Sequence, residues 1–171
     1  MANFTIKLVD HTSSSDNLKK RLLTAIQGLF TQVFQGTNDG ATVSWGDSDP
    51  SDTLILHFVP DIAGSYIEAQ WPGAAIRGDA GGHTRTRNNV TGSEFYKHMV
   101  ISGKPSMVKD DAYGRLAFHE SLHNRSGLGN TELHGQNGGG GLATSPPGKM
   151  LTDSNKDMMR KGLARSVPQL Q

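Results

Sequence analysis

The first sixty residues show two hydrophobic periods. Residues 4–10 (FTIKLVD) alternate apolar and polar side chains and contain β-branched residues, which predicts a strand with one buried face. Over residues 16–35 apolar side chains recur every three or four positions and Gly36 follows, which predicts a long amphipathic helix with a glycine stop. Residues 41–47 (ATVSWGD) and 53–59 (TLILHFV) resemble two further strands. The predicted order is strand, helix, strand, strand.

The pattern is weaker between residues 63 and 109, where Gly, Pro and Asn interrupt the apolar runs. Within this stretch only residues 82–90 (GHTRTRNNV) keep a period of two, which favours a polar strand at the edge of a sheet. A solvated strand or loop is the alternative, in which the Thr and Arg side chains only keep one face wet.

The helical period returns after residue 109. Asp110 or Asp111 can cap a helix that begins near Ala112, and Gly127 can end it. One stripe of this helix carries Ala112, Leu116, His119 and His123.

The C-terminal part contains a loop and a last helix. Residues 135–149 (GQNGGGGLATSPPGK) predict a glycine-rich loop, in which the glycines permit either close backbone approach or mobility. Residues 152–166 (TDSNKDMMRKGLARS) predict a final helix with Thr152 as its N-cap.

Composition narrows the chemistry that this chain can perform. The 171 residues fit a single domain, 1–171, which we expect to be a monomer. A net charge of +1 with 19% charged residues gives no electrostatic reason to expect nucleic acid or membrane as a partner. The absence of cysteine excludes disulfides, cysteine zinc sites and thiol catalysis, so a metal must be bound by His, Asp or Glu.

The sequence shows neither the pattern of an N-terminal signal peptide nor that of a membrane span. The opening MANFTIKLVDHTSSS lacks the basic start and apolar core of a signal peptide, and no segment approaches the roughly 18 apolar residues of a membrane span. We therefore expect a cytoplasmic protein, or one exported without an N-terminal signal peptide.

A short motif in the second predicted helix carries the candidate chemistry. His119, Glu120 and His123 form H-E-x-x-H. On a helix, residues four apart lie one above the other, so two imidazoles can reach one ion while Glu120 lies beside it to activate a water. The alternative is a helix with surface histidines that bind nothing.

The segment HESLHNRSGLG resembles the zinc-binding helix of the metzincin branch of the zincin metallopeptidases, whose pattern is H-E-x-x-H-x-x-G-x-x-H or Asp. The resemblance implies an α+β fold: a mixed twisted sheet of about four to five strands, a long N-terminal helix, an active-site helix and a C-terminal helix. It also implies a zinc-dependent metalloendopeptidase with one catalytic Zn²⁺, a polypeptide substrate bound along the edge strand, and Glu120 as general base.

The chain departs from this pattern after His123. The residue three positions later is Ser126, and the residue six positions later is Gly129, which is no ligand. His134 is the predicted third zinc ligand because a neutral imidazole binds zinc well, and Glu132 is the runner-up. An exposed loop histidine is the alternative interpretation of His134.

The resemblance also implies a methionine turn beneath the metal, and Met150 stands at the expected place before the last helix. Ordinary core packing would explain Met150 equally well. The remaining histidines are less informative about chemistry. His57 is predicted to be a hydrogen-bonded core or face residue, His11 and His98 to be surface positions, and His83 to line the cleft.

Two other function classes compete with a peptidase. The first is a non-catalytic, zinc-stabilised binding protein, which would close the metal site with a fourth protein ligand. The second is a nucleic-acid-binding module built on RTRNN and the basic residues 156–165, which the near-zero net charge and the 6% aromatic content weaken.

Overall fold

The chain forms an α+β structure, as the sequence predicts. A computed structural model describes residues 1–11, 13–46, 54–59, 82–86, 95–102, 110–126, 128 and 130–164. The strands are β1 (Asn3–Asp10), β2 (Gly40–Trp45), β3 (Leu54–Val59), β4 (Gly82–Thr86) and β5 (Phe95–Ser102). The helices are α1 (Asp16–Phe34), α2 (Asp110–Ser126), α3 (Asn130–His134) and α4 (Asp153–Leu163).

The strands form one mixed sheet in the order β2-β1-β3-β5-β4. The first four pair in parallel, and β4 pairs antiparallel with β5 at the edge of the sheet. In β3 all side chains from Leu54 to Phe58 are buried. A strand covered on both faces needs apolar residues without alternation, which explains the continuous run LILHF.

Helix α1 confirms the prediction made from its three- and four-residue period. Its N-cap Ser15 accepts a hydrogen bond from the amide of Leu18, and Gly36 follows the helix at a φ of +79°, a value that favours glycine. The apolar stripe is buried in the core and contains Leu22, Ile26, Phe30, Val33 and Phe34.

The structure corrects one prediction and supports another between β3 and α2. Strand β5 (FYKHMVIS) was missed because we took every apolar run in this stretch as interrupted, although five of its eight residues are apolar or aromatic. His98, expected at the surface, lies in this internal strand. The polar stretch GHTRT does form the edge strand β4, while residues 87–90 of that prediction lie outside the described part.

Helix α2 is the centre of the helical layer. It packs against α1 and α4 and lies close to β4 and β5. Ala117, Phe118 and Leu122 bury its apolar side completely. In the described part of the chain, no helix has the length and apolar content that crossing a membrane requires.

Candidate metal centre

Three histidine side chains converge at the end of α2. The Nε2 atom of His134 lies 3.1 Å from Nε2 of His119 and 3.2 Å from Nε2 of His123. Two nitrogens bound to one tetrahedral zinc at 2.0–2.1 Å would lie about 3.3–3.4 Å apart, so the observed spacing is close to that of a metal site. The ligating atoms of all three lie within 4.8 Å of one another, and these residues could hold a metal ion.

Backbone carbonyls fix which nitrogen of each buried imidazole carries the proton. His119 Nδ1 donates to the carbonyl oxygen of Leu142 at 2.7 Å, and His123 Nδ1 donates to that of Leu128 at 2.8 Å. A carbonyl can only accept, so in the neutral rings the proton is on Nδ1 and Nε2 carries the lone pair. Both lone pairs therefore face His134.

Three imidazole nitrogens meet at one point in this arrangement. A neutral His134 has at most one Nε2 proton, so it can donate to only one of the two Nε2 lone pairs of His119 and His123 at a time. A cation between the three nitrogens would satisfy every lone pair at once. The donor set therefore fits a metal ion better than it fits a network of hydrogen bonds.

Burial favours the neutral form, which metal binding requires, for two of the three histidines. His119 is 4% exposed and His123 is 8% exposed, whereas His134 is half-buried. Burial lowers the pKa of His119, the hydrogen bond to Leu142 partly opposes this, and the neighbouring His134 lowers it further. Burial also lowers the pKa of His134.

The third histidine reaches the site through a short turn and the helix α3. Ser126, which stands where the family pattern has glycine, donates through Oγ to the carbonyl of Leu122 and accepts from the amide of Leu128. The side chain of Ser126 thus bonds both to the last turn of α2 and to the residue two positions later. Glu132 is outside the cluster, since residues two apart on α3 point in different directions.

Glu120 lies on α2 directly after His119 and is buried, with 6% of its surface exposed. Burial removes much of the hydration of a carboxylate, which costs free energy unless polar or charged groups nearby compensate for it. Glu120, the predicted general base, is therefore adjacent to His119 in sequence and buried in the protein.

The predicted methionine turn is wrong for Met150, because its side chain is 70% exposed and cannot lie beneath the histidines. The backbone of Met150 does contact the loop, because its carbonyl accepts a hydrogen bond from the amide of Leu142 at 2.9 Å. The segment is therefore held by its main chain, which leaves the methionine side chain in solvent.

The glycine-rich loop is close-packed against its neighbours. It contains two single 3₁₀ turns, Gln136–Gly138 and Gly141–Ala143. A Cβ on Gly138 would collide with the carbonyl of Leu133, and Gly141 has a φ of +57° with the Met150 carbonyl against it. Of the two uses that the sequence left open for these glycines, close backbone approach is the one that the structure shows.

Asn155 and the two carbonyls are the site residues that sequence reasoning missed. The side chain of Asn155 is completely buried and accepts from the amide of Leu142 at 3.1 Å. Carbonyl groups occur on every residue, so Leu128 and Leu142 gave no signal. In the sequence, Asn155 looks like an ordinary polar residue in the first turn of a helix.

The other described histidines form a separate pair. His57 is buried, as predicted, and its Nδ1 lies 3.0 Å from Nε2 of His11. His11 is exposed but not isolated, since its ring stacks on that of His57 with centroids 5.2 Å apart. The side chain of His83 lies outside the described part.

Comparison with known proteins finds no match: no family model fits the chain, and no curated protein and no solved structure is significantly similar to it.

Proposed function

We propose that the chain binds one Zn²⁺ through His119, His123 and His134 and hydrolyses peptide bonds as a zinc-dependent metalloendopeptidase. The observation that carries the proposal is the convergence of three Nε2 atoms, two of them with their proton fixed on the opposite nitrogen. Imidazoles in this tautomer are the usual zinc ligands, and no cysteine competes for the ion.

An open coordination position favours catalysis over a structural role. Among the residues that the structure describes, the cluster has three members and no fourth His, Asp or Glu. Structural zinc sites are usually closed by four protein ligands, whereas catalytic sites leave one position for solvent or substrate. The half-buried His134 gives this position access to solvent.

When bound, the ion supplies Lewis-acid chemistry, which polarises a carbonyl and lowers the pKa of a coordinated water. The protein supplies the proton transfers. The carboxylate of Glu120 takes the proton of the attacking water and delivers it to the leaving amine, so it is deprotonated again for the next cycle. Burial of Glu120 shields this transfer from bulk water.

The sheet supplies a place for an extended substrate. β4 is the antiparallel edge strand, and α2, which carries the first two histidines, lies close to β4 and β5. A polypeptide can pair its backbone with such an edge. A mixed sheet with its edge strand beside the metal-binding helix is also what the resemblance to metzincins implies.

The basic residues of α4 support the peptidase over the nucleic-acid alternative. Lys156 pairs with Asp153, and Lys161 pairs with Asp157 at 2.7 Å. Arg160 donates through Nε to the carbonyl of Val33. Two of the three cationic side chains of this helix are thus paired with aspartates of the same helix, which weakens a phosphate-binding face.

The test separates metal binding from turnover. Elemental analysis should give one zinc per wild-type chain and less in His134→Ala. Glu120→Gln should keep the zinc and lose cleavage of a mixed peptide library followed by mass spectrometry. Cleavage by Glu120→Gln would reject the assignment of the base, and zinc binding without cleavage by the wild type would favour the non-catalytic alternative.

A further inference from the structure

One buried side chain connects the C-terminal helix to the loop that orients His119. Asn155 lies in the first turn of α4 and is 0% exposed. Its Oδ1 accepts from the amides of Leu142 at 3.1 Å and Thr152 at 3.3 Å. Its Nδ2 donates to the carbonyls of Gly138 at 2.9 Å and Gly140 at 3.1 Å.

These four bonds use the whole hydrogen-bonding capacity of an amide side chain, which is two donors and two acceptor lone pairs. The bond within the helix, to Thr152, belongs to its capping box. The other three all go to the glycine-rich loop. A helix cap alone therefore does not explain Asn155.

The loop residue that Asn155 fixes is the one that fixes His119. The amide of Leu142 is bound by Asn155, while its carbonyl accepts the Nδ1 proton of His119 at 2.7 Å. The bond from Asn155 to the amide of Leu142 therefore helps to set the direction of the Leu142 carbonyl. Since that carbonyl selects the tautomer of His119, the amide of Asn155 acts on the metal centre through a single intervening residue.

We propose that Asn155 is a positioning residue of the metal centre: it holds the loop 138–142 so that the Leu142 carbonyl keeps the His119 proton on Nδ1. The effect on metal binding rests on the proposed function, whereas the effect on the tautomer does not.

The chemistry of the site requires an amide at this position. An aspartate has nearly the same shape but only accepts hydrogen bonds, so it would present a carboxylate to the carbonyls of Gly138 and Gly140. Two favourable contacts would become two repulsive ones. Asn155→Asp therefore loosens the loop without removing volume from the core.

Met159→Ala is the matched control. Met159 lies one turn later on α4 and is also completely buried, so its truncation destabilises the same helix through a cavity. Any effect that follows from loss of stability alone would appear in both variants.

The experiment measures the zinc dissociation constant by chelator competition, and the tautomer of His119 by ¹⁵N NMR of the metal-free full-length chain. We expect Asn155→Asp to weaken zinc binding by about 10- to 100-fold and to mix the two tautomers of His119. Met159→Ala should keep the wild-type values of both. Wild-type affinity and tautomer in Asn155→Asp would overturn the proposal, as would an equal loss of affinity in Met159→Ala.

Two further results keep the test decisive. If Asn155→Asp does not fold, exchange of the Asn155 side-chain amide protons in the wild type decides: slow exchange supports the two bonds that Nδ2 donates to the loop, and exchange at the rate of a free amide overturns the proposal. Failure of the wild type to bind zinc would sink the proposed function, but the His119 tautomer would still test the positioning role.

Discussion

Replacing Gly138 with alanine would push apart two supports of the metal centre. Gly138 is buried in the turn after α3. A Cβ there would press on the carbonyl oxygen of Leu133 and would lie 2.7 Å from its carbonyl carbon and 2.9 Å from Cβ of Ala143. Ordinary contact begins at 3.4 Å, so the carbonyl carbon and the Ala143 Cβ must retreat by about 0.5–0.7 Å, and the carbonyl oxygen by more.

This displacement is large on the scale of a metal site. Leu133 precedes the ligand His134, and Ala143 follows Leu142, whose carbonyl orients His119. Metal–ligand distances tolerate about ±0.2 Å. We therefore expect zinc affinity to fall by about 10- to 100-fold, or about 1.4–2.8 kcal/mol. Overpacking should also cost about 1–3 kcal/mol in the free energy of unfolding.

The assay is zinc competition with a chelator, together with urea unfolding of the metal-free chain. Gly28→Ala is the control, because no heavy atom lies within 4 Å of its Cβ position in α1. It should keep wild-type affinity and gain about 0.5–1 kcal/mol of stability. If Gly138→Ala folds and binds zinc as tightly as the wild type, the spacing between α3 and the 3₁₀ turn does not set the ligand geometry.

Three further predictions concern stability. Gly162→Ala should destabilise the chain by about 1–3 kcal/mol in urea unfolding, despite alanine's better helix propensity, because its Cβ would lie 2.6 Å from the carbonyl oxygen of Arg125 on α2. Thr152→Ala should cost about 1 kcal/mol in the same assay, since it removes the N-cap of α4. In EDTA, the free energy of unfolding should be highest above about pH 6.5 and should decline below that pH. The reason is that the folded state lowers the pKa of His119 and His134, so below pH 6.5 these histidines bind protons more readily in the unfolded chain than in the folded one. The double alanine variant at these two positions should show a smaller decline.

Local periodicity predicted the elements that do not depend on distant parts of the chain. Helix α1, strand β1 and the helix that carries the H-E-x-x-H motif were found because a 3.6-residue or two-residue period follows from local geometry. The closeness of His119 and His123 follows from the same geometry, since four residues make about one turn. Their ring centroids lie 4.8 Å apart.

The parts that sequence alone does not fix depend on tertiary structure. The ten residues between His123 and His134 do not set a distance, and His134 was chosen because imidazole binds zinc well and the loop after Gly127 is long enough to fold back to the ion. Met150 was misplaced because the turn buries its main chain rather than its side chain. Strand β5 was missed because its apolar residues were taken as an interrupted run, and its place between β3 and β4 is set by the sheet.

The site joins segments that are otherwise separate: two ligands on α2, a third on α3, and an orienting carbonyl on a loop held by α4. An ion bound by the folded state alone stabilises it by about 2.7 kcal/mol at a hundred times its dissociation constant. A structural ion and a catalytic ion would stabilise the chain equally, so thermal stabilisation by zinc does not discriminate between the two functions. Glu120 is the residue on which they differ, because it is needed for proton transfer and not for holding the ion. Peptide cleavage by the wild type, lost in a Glu120→Gln variant that zinc stabilises equally, is therefore the result that identifies a peptidase.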